Sequence, residues 1–309
     1  MTASPLFPRP FALGTLLLIG VCFGSNHIAA RLAFDHGTGL VTAILMRSGL
    51  TAVALLGVVL WLRLPLRPPV GSRRWLLALG LLIALQSLLL YSAVARIPVA
   101  LALLAFNTFP VLYALLSWAL GGRPPSRRAA ALMGLILLGL ALALDAPARL
   151  GLAADAGGPS LALGVALALG GSLVFAVALW ITEHRLPAVP GPLRSLCTMA
   201  LVCLATALGG LVAGQAGLLP GALHWPADGL GWLGLLLLTL LYGCAFSVLF
   251  VLMPRLEMAR NASALNIEPI AVLALGWLLL DQALRAPQVL GALLVVAGIV
   301  LLARTGAKP

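Results

Sequence analysis

Two ionisable side chains inside long apolar stretches carry groups able to bind a small charged molecule. Arg47 offers a guanidinium that pairs with a carboxylate through two parallel hydrogen bonds, and Glu268 offers a carboxylate that holds a proton or an ammonium group. Ionisable groups inside a membrane segment are costly and therefore mark candidate functional sites. The alternatives are a structural Arg47, paired with a carboxylate or with helix-end carbonyls, and a Glu268 placed near the membrane interface.

His27 is a third ionisable candidate. It shares one helical face with Gly20, Gly24 and Arg31, because residues three and four apart are neighbours on a helix. The small residues let a neighbouring helix or a ligand come close, and His27 then points into that space. A histidine that only forms hydrogen bonds between helices is the alternative.

Further candidates for lining a cavity are polar or aromatic residues of the apolar stretches. Tyr242 and Phe246 are four residues apart and so share one face, for which core packing is the alternative. The remaining residues of this candidate set are Asn26, Gln86, Tyr91, Phe106, Asn107, Trp180 and Asn266.

Two prolines lie in matching contexts, 159 positions apart in the sequence. Pro110 follows Asn107 and Pro269 follows Asn266, and a tryptophan comes eight residues after each proline. A proline inside a helix removes one amide and leaves the carbonyl four residues earlier unpaired, and the asparagine amides are able to satisfy those carbonyls. Paired breaks of this kind suit hinges, and fixed kinks that only shape the packing are the alternative.

The composition identifies what must position these residues. Hydrophobic residues make up 62% of the 309 positions and charged residues 9%, whereas soluble domains are about 25% charged. At about 20 residues per crossing, the apolar residues suffice for roughly ten membrane spans. This excludes a soluble domain, a secreted disulfide scaffold and a disordered chain. The predicted spans cover residues 11–33, 38–62, 75–95, 98–120, 129–144, 161–182, 192–215, 229–253, 262–280 and 287–303.

The basic residues predict the orientation of these spans. The formal net charge is +11, yet the bases lie between apolar runs and do not form a surface for nucleic acid. Fourteen of the 19 Lys and Arg residues fall on the side of the N-terminus, four fall on the other side, and Arg47 lies within a span. Because positively charged loops stay in the cytoplasm, both termini are predicted to be cytoplasmic.

Several kinds of chemistry have no support in the sequence. The only lysine is Lys308, next to the last residue, so the chain has no phosphate-binding GxxxxGK[ST] loop. The four histidines show no HExxH spacing, no GxSxG motif occurs, and the four cysteines show no CxxC spacing. We therefore expect no enzyme, no metal site, no disulfide and no cofactor, with the cysteines acting as small buried apolar residues.

The two halves of the chain are related. The offset of 159 also matches Trp118 with Trp277, and an offset of 152 matches Phe23 with Phe175. This predicts two five-helix repeats, at residues 1–150 and 151–309. Because five is odd, the second repeat enters the membrane from the opposite side, which is the inverted-topology arrangement of secondary transporters.

These ten spans, the duplication and two short motifs, Phe23-Gly24-Ser25-Asn26 and Leu279-Leu280-Asp281-Gln282, resemble the EamA family of the drug/metabolite transporter superfamily. Within that family the chain resembles the YddG-type exporters of amino acids. One departure is Gly121-Gly122-Arg123, which stands where the family has an acidic residue after the fourth span. The resemblance implies an all-α integral membrane protein of ten helices, in two inverted repeats.

The predicted function is secondary active transport by alternating access in a bacterial inner membrane. Small metabolites are exported, and the resemblance implies amino acids, including aromatic ones and methionine. The substrate cavity is expected between the halves, lined by spans one, three, four, six, eight and nine. Export of drugs, polyamines or other metabolites is one alternative, and a channel or non-transporting membrane subunit is another. The expected partners are a small molecule and the lipid bilayer, with no nucleic acid, and the protein is expected to be monomeric.

Overall fold

The computed structural model describes residues 7–121, 124, 126–143, 158–215, 223–252, 255–256, 267–280 and 285–306. These residues form eleven α-helices. In the first half they are α1 (Arg9–Asp35), α2 (Leu40–Trp61), α3 (Arg73–Val94), α4 (Val99–Phe106), α5 (Phe109–Ala119) and α6 (Arg127–Ala143). In the second half they are α7 (Gly158–Arg185), α8 (Gly191–Gln215), α9 (Gly229–Leu252), α10 (Glu268–Leu280) and α11 (Ala286–Gly306).

Seven of the described helical segments are long and apolar enough to cross a membrane, with α4 and α5 counted together as Val99–Ala119. Glu268–Leu280 and Val289–Gly298 are shorter apolar helices. A chain with this many apolar crossings is a multi-pass membrane protein. Helices are the expected form here, because the interior of a bilayer offers no water to backbone amides and carbonyls.

The described helices coincide with the ten predicted apolar runs. α1, α7 and α11 extend beyond both ends of their runs, whereas α2 is slightly shorter than its run at both ends. The part of the predicted run 262–280 that precedes residue 267 lies outside the described residues.

The fourth run is divided, as the proline predicted. α4 ends at Phe106, and Pro110 is the second residue of α5, where a missing amide costs nothing because first-turn amides have no partner within the helix. Side chains satisfy the last carbonyls of α4. The Asn107 amide donates to the Leu103 carbonyl at 2.8 Å, and the Thr108 hydroxyl donates to the Ala105 carbonyl at 2.8 Å. The prediction that Asn107 satisfies the Phe106 carbonyl was therefore wrong.

Most of the helix–helix contacts join a helix of one half to a helix of the other half. α1 packs against α9 and α10, and its counterpart α7 packs against α3 and against α4 and α5. The α2–α8 and α6–α11 pairs each join equivalent helices of the two halves. The packing pattern is thus unchanged when the halves are interchanged, as a two-fold pseudosymmetry requires.

The apolar residues divide between an interior and an outer surface. α4 is enclosed, since every residue from Val99 to Ala105 is buried. The outer surface keeps large apolar side chains that in water would be unfavourable, for example Leu18, Val53 and Leu279, which are 65%, 66% and 66% exposed. Such a surface suits contact with lipid tails.

Candidate functional site

A cavity of about 440 Å³ lies between α3, α7, α8 and α9. Its wall is largely aliphatic, with polar or aromatic side chains at Gln86, Phe175, Thr182, Arg194, Ser195, Thr198, Tyr242 and Phe246. The third, sixth and eighth predicted spans line this cavity, as expected. The seventh span, α8, lines it instead of the first, fourth and ninth.

The cavity runs from one end of the helices to the middle of the bundle. At the end, Arg194 is the fourth residue of α8 and Thr182 lies three residues before the end of α7. At the deep side, Tyr242 lies about 15 Å along the axis from the last residue of α9, and Phe175 lies about 15 Å from the last residue of α7. The short 186–190 connection joins α7 to α8 at this same end. The cavity is therefore a half-channel that reaches mid-depth.

Arg47 lies behind the deep wall of the cavity, where it is 5% exposed. Its Nη2 donates to the Ser87 hydroxyl at 2.8 Å, and its Cζ lies 4.7 Å from the Tyr91 ring centre and 4.2 Å from the Tyr242 ring centre. Two aromatic faces thus hold the buried cation by cation–π attraction. Among the described residues, no carboxylate lies within ion-pair distance of Arg47, and its Nε has no hydrogen-bond partner.

Tyr91 and Asn26 continue this polar network between α3 and α1. The Tyr91 hydroxyl donates to Asn26 Oδ1 at 3.1 Å, and Asn26 Nδ2 donates to the Phe23 carbonyl at 3.0 Å. Both side chains are fully buried. Their hydrogen bonds hold the ring of Tyr91 over Arg47.

His27 and Glu268 meet where α1 contacts α10. His27 Nε2 lies 3.6 Å from Glu268 Oε1, and His27 Nδ1 is buried without a hydrogen-bond partner. Gly24 makes this contact possible, because a Cβ there would lie 3.0 Å from the Glu268 carbonyl oxygen. The close approach predicted from the small residues of α1 is therefore confirmed at Gly24. Glu268 is also the first residue of α10, where the helix dipole favours a negative charge.

An aromatic cluster joins the break between α4 and α5 to the cavity wall. The ring of Phe175 lies 5.4 Å from that of Phe106 and 4.9 Å from that of Phe109, and Phe175 itself lines the cavity. Beside it, the hydroxyls of Thr108 and Ser172 lie 3.1 Å apart. The break between α4 and α5 is therefore in direct contact with a residue of the cavity wall.

The other predicted residues fall into three groups. Gln86, Tyr242 and Phe246 line the cavity as expected, and the two rings stack with their centres 5.2 Å apart. Trp180 lies outside the described lining and stacks on His184 at 4.8 Å. Asn266 lies outside the described residues. Pro269 is the second residue of α10, the same position that Pro110 has in α5.

The far end of the bundle is closed by contacts between the end of α1 and the start of α9. Nδ1 of His36 lies 2.7 Å from Oδ2 of Asp228, and the Ala227 amide donates to the His36 carbonyl at 3.0 Å. The Gly39 amide donates to the His224 carbonyl at 2.8 Å. Hydrogen bonds from the Gly231 amide and from His36 lower the pKa of the Asp228 carboxyl.

A second contact at this end joins α1 to α3. Arg31 Nη1 donates to the Val94 carbonyl at 3.0 Å, while its Nε pairs with Asp35 at 2.9 Å. The last turns of α1 and α3 are thereby held together. The cavity thus has one open end and one end sealed by polar contacts.

Several of these residues were not predicted from the sequence. Ser87, Phe175, Arg194 and Thr198 each belong to the site but were passed over, Arg194 because it was counted among the basic loop residues. A signal for α8 was present, since Arg194 and Thr198 are four residues apart and so share a face. The prediction that the four cysteines are buried was wrong, because Cys22, Cys197 and Cys203 are only half-buried and Cys244 is exposed. Within the described ranges no group of His, Cys, Asp or Glu is arranged to hold a metal.

Comparison with known families decides the class of the protein. A family model described as the EamA-like transporter family matches residues 10–144 and 162–304, one match in each half. The chain belongs to this family. EamA-like proteins are membrane transporters, so this chain is a multi-pass membrane transporter.

Solved structures share the fold of this EamA-like chain. Fifteen chains match, among them one described as "Crystal structure of protein", at 22% identity and a TM-score of 0.61, over 97% of this chain and 100% of that one. At this identity the similarity concerns the fold alone. No curated protein matches the EamA-like sequence.

Proposed function

We propose that this EamA-like protein exports small amphipathic metabolites by alternating access, with amino acids, including aromatic ones and methionine, as the substrate class. The single observation that carries the proposal is a half-channel open at one end and closed at the other. A carrier must expose its central site to one side at a time. A channel would need a continuous path, and the contacts of His36 and Asp228 oppose one.

The open end faces the cytoplasm in this proposal. It lies beside the N-terminal ends of α3 and α8, next to the connections that hold most of the basic residues, and such connections stay in the cytoplasm. Both termini are then cytoplasmic, and a bacterial inner membrane is the proposed location. The two matches to the family and the exchanged packing support two inverted five-helix repeats, which together give ten crossings.

The chemistry of the cavity supports an amphipathic substrate. Phe175, Tyr242 and Phe246 offer aromatic faces that suit an apolar or aromatic side chain. Arg194 offers positive charge, and no acidic residue occurs among the described lining residues. This disfavours a polyamine, which would need carboxylates. One chain supplies the whole cavity and both of its ends, which supports a monomer as the functional unit.

Glu268 and His27 are the proposed coupling groups. Uptake or release of a proton by this pair would change the charge at a contact between the two halves, and that contact has to alter during transport. Arg47 acts in this proposal as a fixed cation beneath Tyr242 and sets the electrostatic potential of the deep cavity.

Counterflow in liposomes tests the proposal. Vesicles loaded with unlabelled phenylalanine or methionine should accumulate the labelled amino acid, because a carrier exchanges one molecule for another. Thr198→Trp should abolish exchange by filling the cavity. Leu208→Trp, on the same helix but 56% exposed on the outer surface, should leave exchange intact. Exchange that persists in Thr198→Trp would refute transport through this cavity.

A further inference from the structure

The position of Arg194 is not explained by membrane topology alone. A basic residue that only keeps a connection in the cytoplasm does not need to line a cavity. Arg194 lies in the first turn of α8 with its side chain on the cavity wall, and it is the one charged residue among the described residues of that wall. It is half-buried, so water reaches it only in part. A cation in such a place interacts strongly with an anion that enters the cavity.

The guanidinium of Arg194 is largely free to bind a ligand. Its Nη1 donates to the Leu186 carbonyl at a long 3.4 Å, which engages one of its five N–H groups. Among the described residues, no carboxylate lies within ion-pair distance of it. The bond to Leu186 holds the guanidinium at the α7–α8 connection, beside the cavity that Arg194 lines, and leaves its other donors without a side-chain acceptor among the described residues.

The surroundings of Arg194 also suit an anion. Ser195 and Thr198 line the cavity next to it, and the Thr198 hydroxyl donates to the Arg194 carbonyl at 2.8 Å. This bond fixes the Thr198 side chain against α8. The amides at the start of α8 add the positive end of the helix dipole. Because Thr198 donates its hydroxyl proton to the Arg194 carbonyl, an anion at this place would meet the guanidinium of Arg194, the Ser195 hydroxyl and the positive end of the helix dipole.

Arg47 does not compete for this role. It is 5% exposed, lies outside the described cavity wall and is covered by the ring of Tyr242. An anion would have to displace a tyrosine to reach it. From the sequence, Arg47 was either a carboxylate ligand or a structural residue, and its enclosed position favours the structural role.

We propose that Arg194, with Ser195, forms a subsite that binds the carboxylate of the substrate near the cavity mouth, while Thr198 lines the cavity beside it. The inference rests on the proposed function, because it takes the cavity as the transport path and names a group of the substrate. The apolar part of the substrate then points inward to Phe175 and Phe246. An exporter loads from the cytoplasm, so this subsite is the first fixed charge that the substrate meets.

Binding of three related compounds to the purified full-length protein tests the subsite. The probes are phenylalanine, 3-phenylpropionate, which keeps the carboxylate and lacks the ammonium group, and phenethylamine, which lacks the carboxylate. In Arg194→Gln the affinity for the two carboxylates should fall about ten- to a hundredfold, because a hydrogen bond to a charged group contributes this much. The affinity for phenethylamine should not fall. Arg194→Lys should retain part of the affinity, because the point charge remains.

Arg185→Gln is the matched control. Arg185 lies at the end of α7 and stacks on Trp75 at 4.8 Å and on Trp180 at 5.6 Å, outside the described cavity wall. Its replacement should leave the order of the three affinities unchanged. An equal loss for all three probes in Arg194→Gln would mean that Arg194 is only structural and would overturn the subsite.

The same series separates failure of the subsite from failure of the proposed function. Arg194-dependent binding of 3-phenylpropionate, without counterflow of any amino acid, would support the subsite and overturn the amino acid substrate class. Counterflow of phenylalanine that Arg194→Gln leaves unchanged would support the proposed function and overturn the subsite. Failure of the wild-type protein to bind any of the three probes would also overturn the subsite.

Discussion

Oε1 of Glu268 lies 3.6 Å from Nε2 of His27, where the first turn of α10 meets the middle of α1. The two side chains come from opposite halves of the chain. The distance between these side chains therefore depends on the relative position of the two halves. A change in the charge of either side chain alters the attraction between the halves.

Glu268→Gln tests the coupling role. We expect this variant to lose pH-driven transport and to keep substrate exchange, because the amide cannot release a proton while the backbone contact to Gly24 is retained. Transport driven by a pH gradient and counterflow are measured in the same liposomes. Glu183→Gln is the control, since Glu183 accepts a hydrogen bond from Tyr113 away from His27. A full response of Glu268→Gln to the pH gradient would remove Glu268 from coupling.

Gly24→Ala tests the close contact between α1 and α10. A Cβ at residue 24 meets the Glu268 carbonyl oxygen at 3.0 Å, so α10 must move away and the midpoint of thermal unfolding should fall. Gly14→Ala on the same helix meets nothing within 4 Å and should stabilise the protein by up to about 1 kcal/mol, as expected for alanine in a helix. Equal melting temperatures in detergent for the two variants would contradict this account of the contact.

Pro110→Ala and Pro269→Ala test the proposed hinges. An amide at residue 110 is able to donate to the Phe106 carbonyl and so to join α4 to α5. We expect slower turnover with little loss of binding, because the conformational step is affected. Pro287→Ala is the control, since Pro287 is also the second residue of a helix, α11, but follows a connection. Wild-type turnover in both hinge variants would indicate that the prolines only shape the packing.

Asp228→Asn tests the closed end. The pKa of Asp228 is lowered in the folded protein, so its contact stabilises the fold above the ordinary pKa of an aspartate and is lost as the pH falls through the lowered value. Asparagine removes the charge that His36 meets but still caps α9 through the Gly231 amide. We expect faster labelling of a cysteine placed at the buried Thr38 by a reagent added from outside. An unchanged labelling rate would show that this contact does not hold the end closed.

Cysteine labelling in intact cells tests the orientation. Val70 is 97% exposed and Ser126 is also exposed, both in connections on the proposed cytoplasmic side. With the four native cysteines replaced, Val70→Cys and Ser126→Cys should resist an impermeant reagent. Leu223→Cys, on the opposite side, should react. The reverse pattern would invert the topology.

Much of the fold could be predicted, because each membrane helix corresponds to one continuous apolar run of the sequence. The apolar runs gave each helix, and Pro110 gave the division between α4 and α5. The partners of Arg47 could not be predicted in this way. Ser87, Tyr91 and Tyr242 come from α3 and α9, and their meeting depends on how distant helices pack.

The site was predicted in part for a related reason. Tyr242 and Phe246 were found from their spacing, whereas Arg194 was hidden, because a basic residue near a helix end already has an explanation in membrane topology. Only the packing of α8 against α3 tells which face of α8 borders the cavity. A polar face near a helix end, such as that of Arg194 and Thr198, is thus the sequence pattern that indicates a candidate cavity-lining site.

Because helices of the first half pack against helices of the second half, some contacts form only after the second half has been synthesised. Thr108, at the break between α4 and α5, contacts Ser172 of α7, which is synthesised 64 residues later. At about 5–20 residues per second, translation takes roughly 3 to 13 seconds to cover that distance. During this interval the ends of α4 and α5 lie in the membrane without the helix that covers them. The nascent first half therefore has to be sheltered by lipid or by the insertion machinery until α7 arrives.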